Sequence, residues 1–299
     1  MFRRSKESSS RKWNDLMVNN KYWEVVHANV MLHSAISNDY DSCEPHFRPE
    51  NIARVDERLR KIIDSVRGKR LLDLGCGTGF IISIAKKYVG HITGVDVTQQ
   101  MLDRVDTRGD CEIKLIKHDT GSVPLPEESF DVATGYSFFH HLYDITPTLK
   151  TAFKALKKGG KLYADLEPNF YFWKEISKLD RDGAYDLIVK REIEATTYKD
   201  EDIEKNFGVK KQIFNDAEFG KSMKGGFKEE ELRKVLLKTG FRQVEIQFNW
   251  FIGQGALIND HRFSKAERFK YAEVMDQMLQ RAMPLTRSLF KYMAFIATK

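Results

Sequence analysis

The chain has 299 residues, 41% of them hydrophobic and 31% charged, which excludes a disordered chain. No apolar run reaches the roughly 18 residues of a membrane span, and three scattered cysteines (Cys43, Cys76, Cys111) exclude a disulfide framework and a structural zinc site. A formal charge of +6 and a pI near 9.0 permit an anionic substrate or nucleic acid without requiring either.

The N-terminus carries Arg3, Arg4, Arg11 and Lys12 but no apolar core behind them, so it reads as a solvated start rather than a secretory signal. With the sparse cysteines, this gives a cytoplasmic expectation. A helix is expected from about Asn14 to Ile36, broken by Asp39–Ser42. Cys43, Glu44 and His46 then form a polar loop rather than a metal site. From Asn51 to Val66 the apolar residues Ile52, Val55, Leu59, Ile62, Ile63 and Val66 recur at helical spacing.

A strand–helix alternation follows. Strands are expected at Arg70–Leu74, His91–Asp96, Glu112–Lys117, Phe130–Thr134 and Lys161–Leu166. Helices fall at Phe80–Val89, Gln99–Val105 and Ile145–Leu156. Short, fully apolar strands alternating with helices imply a parallel sheet covered on both faces. The alternation stops over residues 169–226. It resumes with a helix at Lys228–Lys238, a sixth strand at Arg242–Phe248, a helical insertion near Ser264–Met283 and a last strand at Tyr292–Thr298. The expected organisation is an N-terminal helical cap (1–50), a nucleotide-type core (51–168), a cap insertion (169–226) and a completion of the core (227–299).

The chemistry begins at Leu71-Leu72-Asp73-Leu74-Gly75-Cys76-Gly77-Thr78-Gly79, a strand running into a glycine-rich turn and a helix. That architecture holds a nucleotide-like ligand at the carboxyl edge of a parallel sheet. A dinucleotide loop needs glycine where Phe80 stands, and no Gly-Lys-Ser/Thr ending supports a P-loop. The segment resembles motif I of the class I S-adenosylmethionine-dependent methyltransferases. Leu125-Pro126-Glu127-Glu128-Ser129-Phe130-Asp131-Val132 further resembles the family catalogued as methyltransferase type 11. The resemblance covers residues 68–168 well and 227–250 loosely.

The resemblance implies an α/β, Rossmann-like, doubly wound seven-stranded sheet with its last strand antiparallel, under a mainly helical cap. It implies S-adenosyl-L-methionine as cofactor and S-adenosyl-L-homocysteine as product. Gly75, Cys76, Gly77 and Gly79 would approach the cofactor, and Asp73 would orient its amino end. Asp96 would accept from the ribose hydroxyls, with Val97 beside it. Met101 would lie near adenine, and Asp119 and Thr120 would meet the adenine edge. Asp131 is expected to serve the fold.

The reaction is expected at the end of strand four, Gly135-Tyr136-Ser137-Phe138-Phe139-His140-His141-Leu142. Methyl transfer needs an in-line acceptor, and a general base only where a proton must leave. His140 is the first candidate, His141 the second, and Tyr136 is shared between catalysis and cofactor binding. No Asp/Asn-Pro-Pro-Tyr/Phe motif marks nucleobase amino-methylation. Asp165, Glu167 and Asn169 have oxygen ligands a hard cation could take, but no metal is expected. Tyr22, Trp23, Tyr40 and Phe170–Trp173 are expected to roof an aromatic or apolar small-molecule acceptor. The alternatives are a methyltransferase acting on tRNA or another macromolecule, and a cofactor-binding protein without turnover. Nucleic acid is not the expected partner, and the sequence leaves the oligomeric state open.

Overall fold

The computed structural model describes residues 5–196 and 200–299, with side chains from Asn20 onward. Arg3 and Arg4 lie outside the described residues, as do the side chains of Arg11, Lys12 and Trp13.

The chain opens with α1 (Ser5–Ile36), α2 (Tyr40–Cys43) and α3 (Pro49–Asp64). Pro49 starts α3 where a missing N–H costs nothing, and its apolar stripe buries Val55, Leu59, Ile62 and Ile63. The alternating unit then runs β1 (Arg70–Leu74), α4 (Phe80–Ala85), β2 (His91–Asp96), α5 (Gln99–Leu102), β3 (Glu112–Lys117), β4 (Phe130–Tyr136), α6 (Thr146–Ala155) and β5 (Leu156–Pro168). Five helices follow: α7 (Phe170–Ile176), α8 (Leu187–Thr196), α9 (Asp200–Phe207), α10 (Lys211–Ala217) and α11 (Phe219–Ser222). The chain closes with α12 (Glu229–Thr239), β6 (Arg242–Phe251), α13 (Gln254–Ile258), α14 (Lys265–Arg281) and β7 (Phe290–Thr298).

The seven strands form one sheet in the order β3-β2-β1-β4-β5-β7-β6. Pairs among β1–β5 are parallel, and β7 runs antiparallel to both its neighbours. Successive side chains of a strand point to opposite faces. Leu71 therefore joins the core under α3 and α4, while Leu72 joins the core under α6 and α12. β5 begins five residues earlier than its apolar run suggests. Leu156 already pairs with Phe130, and an irregular register absorbs the glycines before Lys161 meets Val132. Asp131 accepts from Arg70 N–H at 3.0 Å and from Lys157 Nζ at 2.9 Å, a structural tie at the sheet's far end.

The strand order reverses direction at β1, between β2 and β4. At such a switch point the loops after adjacent strands diverge and leave a crevice at their carboxyl ends. The helices above that edge form one layer. Ala28 and Leu32 of α1 pack with Ile203, Phe214 and Ala217 of the 200–217 region. Among the described residues, no helix is long and apolar enough to cross a membrane.

Candidate active site

The glycine turn leaves β1 with Gly75 and Cys76 N–H groups both directed to Val95 O, at 2.8 and 3.1 Å. Gly75 has φ +65, and a Cβ there would sit 1.9 Å from the Phe138 ring, so only glycine fits. Gly77 has φ +51, and a Cβ on it would meet nothing within 4 Å, so its backbone borders open space. Gly79 differs from expectation. It caps α4 in the left-handed conformation and does not line the cleft.

Three carboxylates stand along this edge. Asp73, at the end of β1, is buried. Its Oδ1 accepts from Thr134 Oγ1 at 2.7 Å, and its Oδ2 has no hydrogen-bond partner. Burial pushes its carboxyl up to about 7, helped by the nearby Asp96 charge. Asp96, at the end of β2, accepts from Gly77 N–H (2.9 Å) and Thr98 N–H (2.8 Å), so it also holds the glycine turn. Asp119, after β3, accepts from Ser122 Oγ at 2.8 Å, and burial, with the Asp119 charge, raises the Tyr22 phenol.

These groups line one cleft enclosing about 960 Å³ of atom-free space, counting its solvent-open mouth. Cys76, Val97, Met101, Thr120 and Tyr136 line it as well. Burial pushes the Cys76 thiol well up, which removes it as a nucleophile. Tyr136 accepts from Asn51 Nδ2 at 2.9 Å, and burial raises its phenol, so it stays protonated.

The roof keeps Tyr22 and Tyr40 of the aromatic lid the sequence suggests and loses the rest. Tyr22, Asn29 and His33 of α1, with Tyr40 and His46, cover the cleft. Trp23 is 54% exposed, and Phe172 and Trp173 pack with Ile176 and Ile193 in a separate small core. Among the described residues of the 169–226 insertion, none lines the cleft. The insertion instead braces α1 from behind, with Lys21 Nζ 2.8 Å from Asp216.

The histidine pair resolves in the reverse of the expected order. His140 is buried and off the cleft. Its Nδ1 lies 2.9 Å from Glu167 Oε2. His141 lines the cleft. Its Nδ1 is 2.8 Å from the Ala217 carbonyl, which can only accept, so Nδ1 carries the proton and Nε2 the lone pair. Burial, reinforced by His140, lowers His141 to about 3. Glu218 Oε1 sits 3.6 Å from His141 Nδ1. Burial opposes the Glu218 charge, but Lys221 and the histidines outweigh it and hold its carboxyl well below the usual range.

The oxygen-rich stretch at the end of β5 is engaged by protein. Asp165 pairs with Arg54 at 2.8 Å, and Asn169 caps α7 through Tyr171 N–H. Glu167 accepts from the N–H groups of Phe138, Phe139 and His140. The ligand atoms of His140, His141 and Glu218 lie within 4.8 Å of one another. Lys221 Nζ, 3.3 Å from Glu218 Oε2, already supplies the positive charge that carboxylate needs. His46 is not part of an open polar loop: it is buried against Phe47, Phe80 and Tyr136.

Sequence reasoning missed Asn29, His33 and Glu218. Asn29 Nδ2 donates to His141 O at 3.0 Å, and the His33 ring stacks edge-on against His141 with centroids 4.9 Å apart. Their spacing of four on one helix was a visible signal, but the face they serve belongs to another element.

Residues 72–164 match the family model described as a methyltransferase domain. Over 119 residues the chain is 29% identical to 27-O-demethylrifamycin SV methyltransferase of Amycolatopsis mediterranei, covering 38% of this chain and 44% of that protein. Over 150 residues it is 25% identical to the ubiquinone biosynthesis O-methyltransferase of Pseudomonas entomophila, covering 46% and 62%. The chain thus spans only about half the length of these curated relatives. A crystal structure of an S-adenosylmethionine-dependent methyltransferase from Mesorhizobium loti shares the fold, with a TM-score of 0.50 and 20% identity over 81% of this chain and 96% of that one.

Proposed function

We propose that the chain, whose residues 72–164 match a methyltransferase domain, is a class I S-adenosylmethionine-dependent methyltransferase that methylates a hydroxyl of a small molecule held between α1 and the end of β4. The observation that carries this reading is the row of Asp73, Asp96 and Asp119 along one cleft, with Asp73 Oδ2 buried and unpartnered. The row fits S-adenosylmethionine. Asp73 would take its ammonium, Asp96 the ribose hydroxyls and Asp119 the adenine amino group, while Gly75 and Gly77 leave room for its methionine arm. When bound, the cofactor supplies a methyl group activated on a sulfonium sulfur.

The protein's own part is to place the acceptor oxygen and receive its proton. His141 Nε2 is a basic nitrogen on the cleft wall after β4, and at neutral pH it accepts a hydrogen bond from the acceptor hydroxyl. An imidazole lowered to about 3 does not strip a resting hydroxyl. An oxygen that has gained an alkyl group while keeping its proton is a far stronger acid than an imidazolium. Proton transfer to His141 therefore comes late, and Glu218 stabilises the resulting cation. Tyr136 stays a neutral wall, and Tyr22, which lines the cleft with Asp119, closes the adenine end against water. The oxygen acceptor draws support from the names of the two curated relatives, both of which denote O-methylation.

Titration calorimetry with S-adenosylmethionine and S-adenosylhomocysteine, followed by a tritiated-methyl transfer assay over phenols, alcohols and amines, tests the reading. Binding of both nucleosides and label transfer to hydroxyl compounds is expected. Absence of cofactor binding, or transfer to amines alone, overturns it.

A further inference from the structure

The helix α14 has two apolar faces, and only one is covered. Ala272 is buried, and Leu279 and Met283 pack on the main core. Roughly a third of a turn around the same helix, Tyr271, Val274, Met275 and Met278 form a second stripe that is 43–63% exposed. Leu285, just past the helix end, extends the stripe and is 88% exposed. Single exposed apolar residues are ordinary, but a continuous stripe at i, i+3, i+4 and i+7 marks an interaction surface. None of these residues lines the cleft.

We propose that this stripe pairs with the same stripe of a second copy of the chain, with the two α14 helices antiparallel across a two-fold axis between Val274 and Met275. The charges favour this occupant. Glu267 lies on the stripe one turn before Tyr271, and Arg281 lies at its edge one turn after Met278. An antiparallel pairing brings the acid of each copy to the base of the other at both ends, whereas a parallel pairing sets like against like. It also opposes the two helix dipoles favourably. Glu267 caps the helix through Oε2, which leaves Oε1 for the pairing. Arg281 has no ion-pair partner among the described residues. A lipid surface fits less well. Lys265, Arg268, Lys270 and Arg281 are nearly balanced by Glu267, Glu273 and Asp276, so anionic headgroups gain little.

Sedimentation equilibrium of the full chain from about 1 to 200 µM, the range of weak interfaces, is expected to show a monomer–dimer equilibrium. Met278→Glu should leave a monomer with unchanged thermal midpoint and cofactor binding. Glu267→Arg and Arg281→Glu should each weaken the dimer at least several-fold, and the double exchange should restore it. A monomer throughout the range, or a dimer indifferent to Met278→Glu and to the charge exchange, overturns the proposal. So does a monomeric chain that co-floats with phosphatidylglycerol vesicles, which would assign the stripe to a membrane surface.

Discussion

His140 gives Glu167 two hydrogen bonds to one oxygen, from its backbone N–H at 3.0 Å and its ring Nδ1 at 2.9 Å. The other oxygen of Glu167 takes the N–H groups of Phe138 and Phe139. A single buried carboxylate at the end of β5 thus folds the turn after β4 and sets where His141 begins.

Glu167→Gln keeps the shape but turns an amide NH2 toward donors. A cost of about 3–5 kcal/mol is expected in urea unfolding, as when one partner of a buried charged network is lost. The same pair predicts a pH dependence. Burial lowers the His140 pKa, but Glu167 and Glu218 outweigh it and leave the pKa raised. Protonated His140 therefore contributes stability that is complete below the unfolded value of about 6.5 and is lost as pH rises through the folded one. Unfolding free energies of the wild type and His140→Asn should diverge at low pH and converge at high pH. Parallel curves would remove the charged pair.

Asp73 is the opposite case. A buried carboxyl pushed up to about 7 binds its proton more tightly folded than unfolded. The Asp73 contribution to the stability of the ligand-free protein is therefore complete below the unfolded pKa and falls by up to about 4 kcal/mol as pH rises through 7. Asp73→Asn removes that loss, because its Oδ1 still accepts from Thr134. Its ligand-free thermal midpoint at pH 8 is expected to rise, while its affinity for S-adenosylmethionine falls. A midpoint that drops at pH 8 would show that the charge is already compensated.

The sheet was legible because its signals are local. Apolar runs bounded by glycine and polar turns mark Arg70–Leu74, His91–Asp96 and Glu112–Lys117 with the bounds the structure has. The positions of Asp73, Asp96 and Asp119 were legible because each stands at or just past a strand end that the pattern defines, and the family resemblance singled them out there. The roof was legible only in part. Tyr22 and Tyr40 cover the cleft as aromatic content suggested, but Phe172 and Trp173 pack into a separate small core, and Asn29 and His33 complete the roof from a helix far away in sequence. His140 and His141 are adjacent in the chain, and only the fold distinguishes them. Glu167 claims the first, and the cleft receives the second.

Asp96 ties the cofactor cleft to the glycine turn through Gly77 N–H. Asp96→Ala strands that donor and removes the acceptor for the ribose. Affinity for S-adenosylhomocysteine is expected to fall by about 1–3 kcal/mol, roughly 5- to 150-fold. Calorimetry reads this directly, and an unchanged enthalpy and affinity would separate Asp96 from the ribose.

His141 and Glu218 separate positioning from proton transfer. His141→Asn is expected to lower kcat by about 10²-fold or more, with cofactor affinity preserved. Glu218→Gln leaves the imidazole in place but withdraws the charge that stabilises its protonated form, so it should lower kcat less and leave the acceptor KM nearly unchanged. Because His141 is lowered to about 3, its protonation sets no limb in the pH–rate profile above pH 5. Stability carries the matching sign. Neutral His141 is favoured in the folded state, so its contribution is present above the unfolded value and is lost as pH falls toward 3. A kcat limb near pH 6.5 that vanishes in His141→Asn would mean that the bound acceptor restores an ordinary imidazole pKa and that the proton leaves early rather than late.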